Sequence, residues 1–209
     1  MMRIDSLSGS QDRAGRYKVC FSDGTILRLY RQTVEDFGLY TGMELSDEEM
    51  GSLQQAAGQM SAKMRAVRIV AASNVSKRDL EQRLIQKGED PTQAAEAVQW
   101  MEQLELIDDR KTAQQVVSRC ISKGYGLARA KQALYEKRIP KQYWEEALAD
   151  YPDQTDAIID HLRNHIKDPK DQKQIRKVTD ALIRKGHSYG AIRSALNRLD
   201  LDAEPLEEF

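Results

Sequence analysis

A glycine-rich stretch at residues 122–139, SKGYGLARAKQALYEKRI, has the composition of a loop that could hold a phosphate group. Dinucleotide-binding loops need a third glycine, as in G-x-G-x-x-G, and they follow a strand. Here Gly124 and Gly126 have no third partner, and the residues before them have the periodicity of a helix. We therefore interpret the stretch as a joint, in which Gly124 ends one helix and Gly126 lets the chain turn into the next.

Residues with catalytic or metal-binding potential are few. His161 and His165 lie four residues apart, so one helix face could present both to an ion, but zinc needs three or four ligands. Neither Cys20 nor Cys120 has a histidine nearby in sequence, and no GxSxG motif occurs. The sequence predicts free thiols, no metal, no cofactor and no enzymatic activity.

Basic residues are concentrated in two stretches, although the formal net charge is −1. Residues 110–138 contain eight Lys or Arg and one acidic residue, and residues 161–198 contain ten against three. Acidic residues compensate at 34–50, 144–160 and 199–209. A surface with two signs of potential suits binding to phosphates or to acidic protein patches. The predicted partner-binding residues are Arg110, Lys111, Arg119, Lys123, Tyr125, Arg129, Lys131 and Lys137.

The elements that must position these residues are predicted to be mainly α-helical, with a small N-terminal β-hairpin. Residues 17–30 alternate apolar and polar side chains around Asp23-Gly24, a dipeptide that suits a tight turn. Ser46 and Glu49 have capping-box spacing, which predicts the start of a long helix. Its apolar stripe is predicted to contain Met50, Leu53, Ala57, Met60, Met64, Val67 and Ala71.

Later helices are predicted from start signals. Pro91 and Pro140 are expected at first helical positions. Asp108 or Asp109 is expected to cap a helix that runs to Lys123, and Asp153 another that runs to about Lys167.

Three segments, 84–98, 134–148 and 182–196, align without a gap. Each has a leucine, a lysine three residues later and an alanine with an aliphatic residue at its far end. The pattern predicts tandem three-helix units that form an elongated, curved array, with structural turns at Gly88, Gly124, Gly126 and Gly186. The predicted division is a hairpin subdomain at 1–45, a connecting helix at 46–75, repeats at 76–124, 125–168 and a truncated 169–200, and an acidic tail at 201–209.

Residues 106–139, LIDDRKTAQQVVSRCISKGYGLARAKQALYEKRI, resemble the central motif of the RecX family. That motif has a Leu-Asp-Asp start, Arg-Phe-Ala, a Tyr-Val-Arg-Ser-Arg run and Gly-x-Gly-Pro. The matching residues are Ile107, Asp108, Asp109, Lys111, Ala113, Val117, Gly124, Tyr125, Gly126, Arg129 and Leu134. The resemblance extends over roughly 60–199, and the chain departs from the motif at Thr112, Val116, Ser118, Cys120 and Leu127.

The resemblance implies a negative regulator of the RecA recombinase that modulates recombination and DNA repair. It would bind in the groove of the RecA–DNA filament and inhibit filament extension, strand exchange and ATP hydrolysis. The implied partner is the RecA nucleoprotein filament, with DNA phosphates second and no membrane, and a monomer is favoured over a homodimer. The departures at Val116, Ser118, Cys120 and Leu127 imply weaker or altered inhibition.

Two other functions stay open. One is a helical module that binds nucleic acid without RecA, and the other is a scaffold for another protein, with the stripe of the long helix as a dimer seam.

No apolar run approaches the roughly 18 residues of a membrane span, and the first residues lack the apolar core of a signal peptide, so a cytoplasmic location is expected.

Overall fold

The computed structural model describes residues 1–9 and 14–201 of the chain. Its contacts divide the chain into two compact units, Met1–Ile107 and Asp108–Phe209, and each is considered by itself. The predicted acidic tail lies outside the described residues except for Leu201. Within the described part, no helix combines the length and the apolar character needed to cross a membrane.

The first unit begins with a four-stranded antiparallel sheet in the order β3-β2-β1-β4. Its strands are β1 (Met2–Gly9), β2 (Tyr17–Phe21), β3 (Ile26–Leu29) and β4 (Glu44–Leu45). The predicted hairpin is confirmed as β2–β3, where Asp23 accepts from the Thr25 amide and Gly24 has φ +89°. The sequence did not predict β1, because few of its residues are buried and its apolar pattern is weak.

The sheet packs one face against the start of a long helix. The short helix α1 (Arg31–Asp36) and the turns at Gly38 and Gly42, both at positive φ, connect β3 to β4. Helix α2 (Asp47–Ala72) then begins at the predicted capping box, in which Ser46 and Glu49 exchange backbone-to-side-chain hydrogen bonds of 2.7 and 3.2 Å. The shared core contains Ile4, Val19, Phe21, Leu29, Val34, Leu39, Leu45, Met50 and Leu53.

The predicted apolar stripe of α2 is correct only near its start. Met50 and Leu53 are buried, but further along the buried residues are Ala62 and Ala66, whereas Met60, Met64 and Val67 are half-buried and Ala71 is exposed. The reason is close packing against the later helix at Pro91–Gln103, where Gly58 lies against Gln93. Small side chains let two helix backbones approach, so this interface is formed by residues that a search for large apolar residues overlooks.

The remaining helices pack in groups of three. In the first unit, α2 packs with α3 (Lys77–Gln86) and α4 (Pro91–Gln103), which we name the first triplet. In the second unit, α5 (Asp109–Ser122), α6 (Leu127–Glu136) and α7 (Trp144–Leu148) form the second triplet. The third triplet is α8 (Thr155–His165), α9 (Gln172–Arg184) and α10 (Tyr189–Arg198). The repeat boundaries given by the sequence stay a prediction.

Two of the predicted helix starts are confirmed and two are wrong. Asp90 caps α4 with Pro91 at the first helical position, and Asp108 caps α5 by accepting from the Arg110 and Lys111 amides at 2.9 and 3.1 Å. Pro140 is instead the residue before a 3-10 turn at Lys141–Tyr143. Asp153 stands two residues before α8, where it accepts from the amide and hydroxyl of Thr155 in a local turn, and α8 ends at His165.

The same helix ending occurs at the three aligned segments. A buried leucine, Leu84, Leu134 or Leu182, accepts the amide of the residue five positions on at 3.1, 3.1 and 3.2 Å. The residue before that donor is at positive φ and donates its own amide to the carbonyl three positions back; it is Gly88, Arg138 or Gly186. This pair of backbone bonds is the Schellman motif, which satisfies carbonyls that a helix end leaves free. The three aligned segments therefore share one local structure, and α1, α4, α5 and α10 end in the same way.

Candidate partner-binding surface

The stretch GYG forms a close backbone contact between the second and third triplets. Gly124 follows α5 with φ +64°, and Gly126 precedes α6, donating its amide to the Lys185 carbonyl at 2.9 Å. A Cβ on Gly126 would lie 2.0 Å from the Gly186 carbonyl oxygen. Because both groups are backbone, neither can rotate away, so only glycine fits at position 126. We call this contact the triplet joint.

The other side of the triplet joint is the turn between α9 and α10. Gly186 has φ +87°, and its carbonyl accepts the Ala128 amide at 3.3 Å. The ring of buried His187 donates from Nε2 to the Gly124 carbonyl at 3.1 Å. Burial lowers the pKa of His187, and the nearby Lys185 charge lowers it further, while the bond to Gly124 opposes them. The joint therefore favours a neutral imidazole.

Tyr125 contributes to the surface beside the joint. Its carbonyl accepts the Tyr151 hydroxyl at 2.6 Å, which fixes the backbone between the two glycines. Its half-buried ring lies 5.9 Å from the Lys123 ammonium, within the range of a cation–π contact. The backbone of Tyr125 thus stabilises the loop, while its ring lies next to a positive charge.

The charges of three predicted basic residues act on one buried thiol. Burial raises the pKa of Cys120, and the charges of Arg129, Lys123 and Arg119 oppose that rise. All three cations are therefore within electrostatic reach of the Cys120 sulfur, although Arg129 lies on α6 and the other two lie at the end of α5. We call Arg119, Lys123 and Arg129 the basic cluster.

Carboxylates of the chain neutralise some of the predicted cations. Arg110 donates two hydrogen bonds to Glu146, and the bond from its Nε is 2.8 Å long. Lys111 lies 3.7 Å from Asp108, and Arg129 lies 3.3 Å from Glu136. Among residues 1–9 and 14–201, no carboxylate is within ion-pair distance of Arg119, Lys123 or Lys131, all of which are exposed. Lys137, at the end of α6, is half-buried.

The structure thus brings together part of the predicted set and adds residues to it. Tyr125 and Arg129 lie at the joint, and Arg119 and Lys123 lie at the end of α5 that leads into it. Lys131 is on another side of α6, and Arg110 and Lys111 are at the start of α5. Sequence reasoning missed the partners Glu136 and Glu146, and it did not place Lys185 and His187 at the joint. Arg129 and Glu136 are seven residues, or about two turns, apart on α6, so they lie on one side of that helix.

The described residues contain no group of three His, Cys, Asp or Glu placed to hold a metal ion. The rings of His161 and His165 lie 4.1 Å apart between centroids, and Nδ1 of His165 is 2.8 Å from the His161 carbonyl. Cys20 and Cys120 are free thiols. The arrangement thus offers exposed cations, and an aromatic ring beside one of them, for contact with an anionic partner.

Known proteins share both the sequence pattern and the fold. Residues 108–148, which include the second triplet, match the family model described as RecX, second three-helix domain. Regulatory protein RecX of Xanthomonas campestris pv. campestris (strain B100) is 30% identical over 141 residues, 66% of this chain and 86% of that protein. Its namesake in Clostridioides difficile (strain 630) is 23% identical over 203 residues, 94% of each chain.

Two solved structures have a similar fold. A crystal structure of regulatory protein RecX aligns over 94% of this chain and all of that one, with a TM-score of 0.63 and 19% identity. A RecX structure from Lactobacillus salivarius aligns over 70% of this chain and 99% of that one, with a TM-score of 0.59 and 21% identity. The mainly helical architecture is therefore one that solved proteins also adopt.

Proposed function

The chain belongs to the RecX family of regulatory proteins, and from this premise we propose that it regulates the RecA recombinase by binding the RecA–DNA filament. The observation that carries the proposal is the basic cluster. Its three cations lie within the residues matched by the family model, and two of them have no carboxylate partner among the described residues. The relatives' names describe regulators, which agrees with a binding role instead of catalysis.

Binding to a filament suits a chain of helical triplets. Exposed ion pairs contribute about 0.2–1 kcal/mol each, so the basic cluster alone supplies only weak affinity. A filament presents the same surface on each successive subunit, and one contact raises the effective concentration for the next. Several weak contacts along the chain then give a high overall affinity for the filament. Binding of this kind would inhibit filament extension, strand exchange and ATP hydrolysis.

Charge reversal of the unpaired cations tests the proposal. Arg119→Glu with Lys123→Glu changes the charge by four units at exposed positions on one side of α5, so the fold should persist. The matched control is Lys18→Glu with Arg28→Glu, an exposed cross-strand pair on β2 and β3 that carries the same charge change. Both variants are titrated into preformed RecA filaments after their helicity is compared by circular dichroism.

We expect the α5 variant to need at least 10-fold more protein than the wild type or the control for the same filament loss. Equal potency of all three folded proteins would show that the basic cluster does not contact the filament. A similar loss in the sheet control would show that total charge matters and position does not.

A second candidate function, direct binding of single-stranded nucleic acid, is favoured by one observation. Lys123 lies over the ring of Tyr125, and a cation beside an aromatic ring can bind a phosphate and stack a base. That function predicts affinity for bare DNA that falls steeply between about 50 and 200 mM salt. Binding measured at both salt concentrations, without RecA, separates the two functions.

A further inference from the structure

The third triplet carries positive charge that the chain itself does not neutralise. Residues 161–198 contain ten Lys or Arg against three Asp. Among the described residues, no carboxylate lies within ion-pair distance of any of these ten, and none of the ten donates a side-chain hydrogen bond. The other triplets do pair such residues, since Arg65 lies 2.6 Å from Glu89 and Arg110 pairs with Glu146. The cations of the third triplet are therefore available to a partner.

Four of these cations lie on one face of α9, and all four are exposed. They are Lys173, Arg176, Lys177 and Arg184. The period of 3.6 residues places them opposite the buried face of the helix, which contains Ile175, Val178 and Leu182. Half-buried Asp180 lies in the same stripe, so the stripe has four positive charges and one negative charge. It extends over about 16 Å, and we call its four cations the α9 basic face.

The charges of the α9 basic face repel one another in the free protein. Lys173 and Lys177 are four residues apart, and like charges at this spacing destabilise a helix by about 0.2–0.5 kcal/mol. Arg176 lies three residues from Lys173 and adds to the repulsion. An anionic partner would remove this unfavourable interaction, so the face is better suited to binding anions than to stabilising its own helix.

The composition of α9 fits a nucleic acid backbone better than a protein. The helix has no aromatic residue, and its one exposed large apolar side chain is Ile183, which lies to one side of the cations. Protein interfaces are enriched in aromatic residues and depleted in lysine. Phosphate oxygens, in contrast, are commonly bound by exposed Lys and Arg. At the duplex spacing of about 3.4 Å, one strand presents about five phosphates over the length of this face.

We propose that the α9 basic face binds the phosphate backbone of single-stranded DNA, without regard to base sequence. This contact is separate from the basic cluster, whose residues lie on α5 and α6. Such non-specific contacts are weak on their own, with a Kd of about 10⁻⁴–10⁻⁶ M. On a filament, contacts made elsewhere by the chain raise the effective concentration of the face near the DNA. Its action on filaments rests on the proposed function, whereas binding to bare DNA does not.

Neutral substitutions on α9 test the site without RecA. Lys173→Gln with Lys177→Gln, the α9 pair, removes two charges and keeps side chains that favour a helix. The matched control is Lys18→Gln with Arg28→Gln, an exposed cross-strand pair on β2 and β3 with the same change of charge. Binding of the full-length proteins to fluorescent oligothymidylate is measured by anisotropy between about 50 and 200 mM salt.

The salt dependence of binding gives the number of phosphate contacts. On single-stranded DNA each contact contributes about −0.7 to the slope of log K against log salt. Loss of two contacts should make the slope of the α9 pair shallower by about 1.4. The fall in affinity between about 50 and 200 mM salt should then be about 7-fold smaller than for the wild type, and the sheet control should match the wild type.

Three results without RecA would refute the site. The wild type could fail to bind the oligonucleotide at low salt, or the folded α9 pair could keep the wild-type slope. An equal change of slope in the sheet control would show that total charge determines binding and that the position of the cations does not.

A parallel titration into preformed RecA filaments separates this inference from the proposed function. We expect the α9 pair to weaken filament regulation as well as DNA binding. A slope that depends on α9, from a wild type without any effect on filaments, would refute the proposed function and support the DNA site. Loss of filament regulation in the α9 pair with an unchanged slope on bare DNA would refute the DNA site, since the face would then contact protein.

Discussion

Substitution of Gly126 by alanine tests the triplet joint most sharply. The new Cβ would lie 2.0 Å from the Gly186 carbonyl oxygen, which belongs to the backbone and cannot rotate away. The joint must open, and three hydrogen bonds would be lost, from the Gly126 amide, the Ala128 amide and the His187 ring. At about 1 kcal/mol each, Gly126→Ala should lower the free energy of unfolding by about 3 kcal/mol.

Two further glycines provide graded controls for the same measurement. At Gly190, in α10, an added Cβ would meet no atom within 4 Å, so Gly190→Ala should raise stability by about 0.5–1 kcal/mol. An added Cβ at Gly124 would also meet no atom within 4 Å, but this residue has a φ of +64°. Gly124→Ala should therefore lower the free energy of unfolding by about 1–2 kcal/mol. Urea unfolding followed by circular dichroism gives all three values. If Gly126→Ala costs no more than Gly124→Ala, the backbone contact at the joint does not constrain residue 126.

Two predictions concern single residues of the second unit. Arg138 has φ +55° at a position where the other two aligned segments have glycine. Arg138→Gly should therefore stabilise the protein by up to about 1 kcal/mol, measured by urea unfolding. A loss of stability would show that contacts of the arginine side chain outweigh the backbone strain. His187 has a lowered pKa in the folded state, because burial opposes its charged form. Its contribution is present above about pH 6.5 and is lost as the pH falls towards that lowered pKa. His187→Gln should reduce the fall in stability between pH 7 and pH 5. Equal slopes in wild type and His187→Gln would contradict this.

Local features of the fold could be predicted because neighbouring residues determine them. The Asp23-Gly24 turn, the Ser46 capping box and the cap at Asp108 depend on residues within a few positions of one another. The aligned segments could be recognised for the same reason, since each Schellman ending needs only a buried leucine and a residue that tolerates positive φ.

Features that depend on distant partners could not be predicted in this way. Strand β1 buries few apolar residues, so its pattern is weak, and only its pairing with β2 and β4 makes it a strand. The buried face of α2 turns towards Ala62 and Ala66 because α4 packs closely there, and nothing local to α2 indicates that. Pro140 and Asp153 have the residue types of helix starts, but the structure uses both in turns.

The candidate site shows the same limit. Its cations could be read from the sequence, but not which of them the protein neutralises itself, because Glu146 lies 36 residues from Arg110. Nor could the sequence show that the GYG loop meets the turn at Gly186, about sixty residues away. Of the seven predicted cations, the structure pairs Arg110, Lys111 and Arg129 with carboxylates of the chain itself.

The most direct test of RecA regulation is a titration of the wild-type chain into preformed RecA filaments on fluorescent single-stranded DNA, with bare DNA measured alongside. We predict filament loss at protein concentrations too low to bind bare DNA. Binding to bare DNA with the filaments left intact would contradict the proposal and identify the chain as a DNA-binding module.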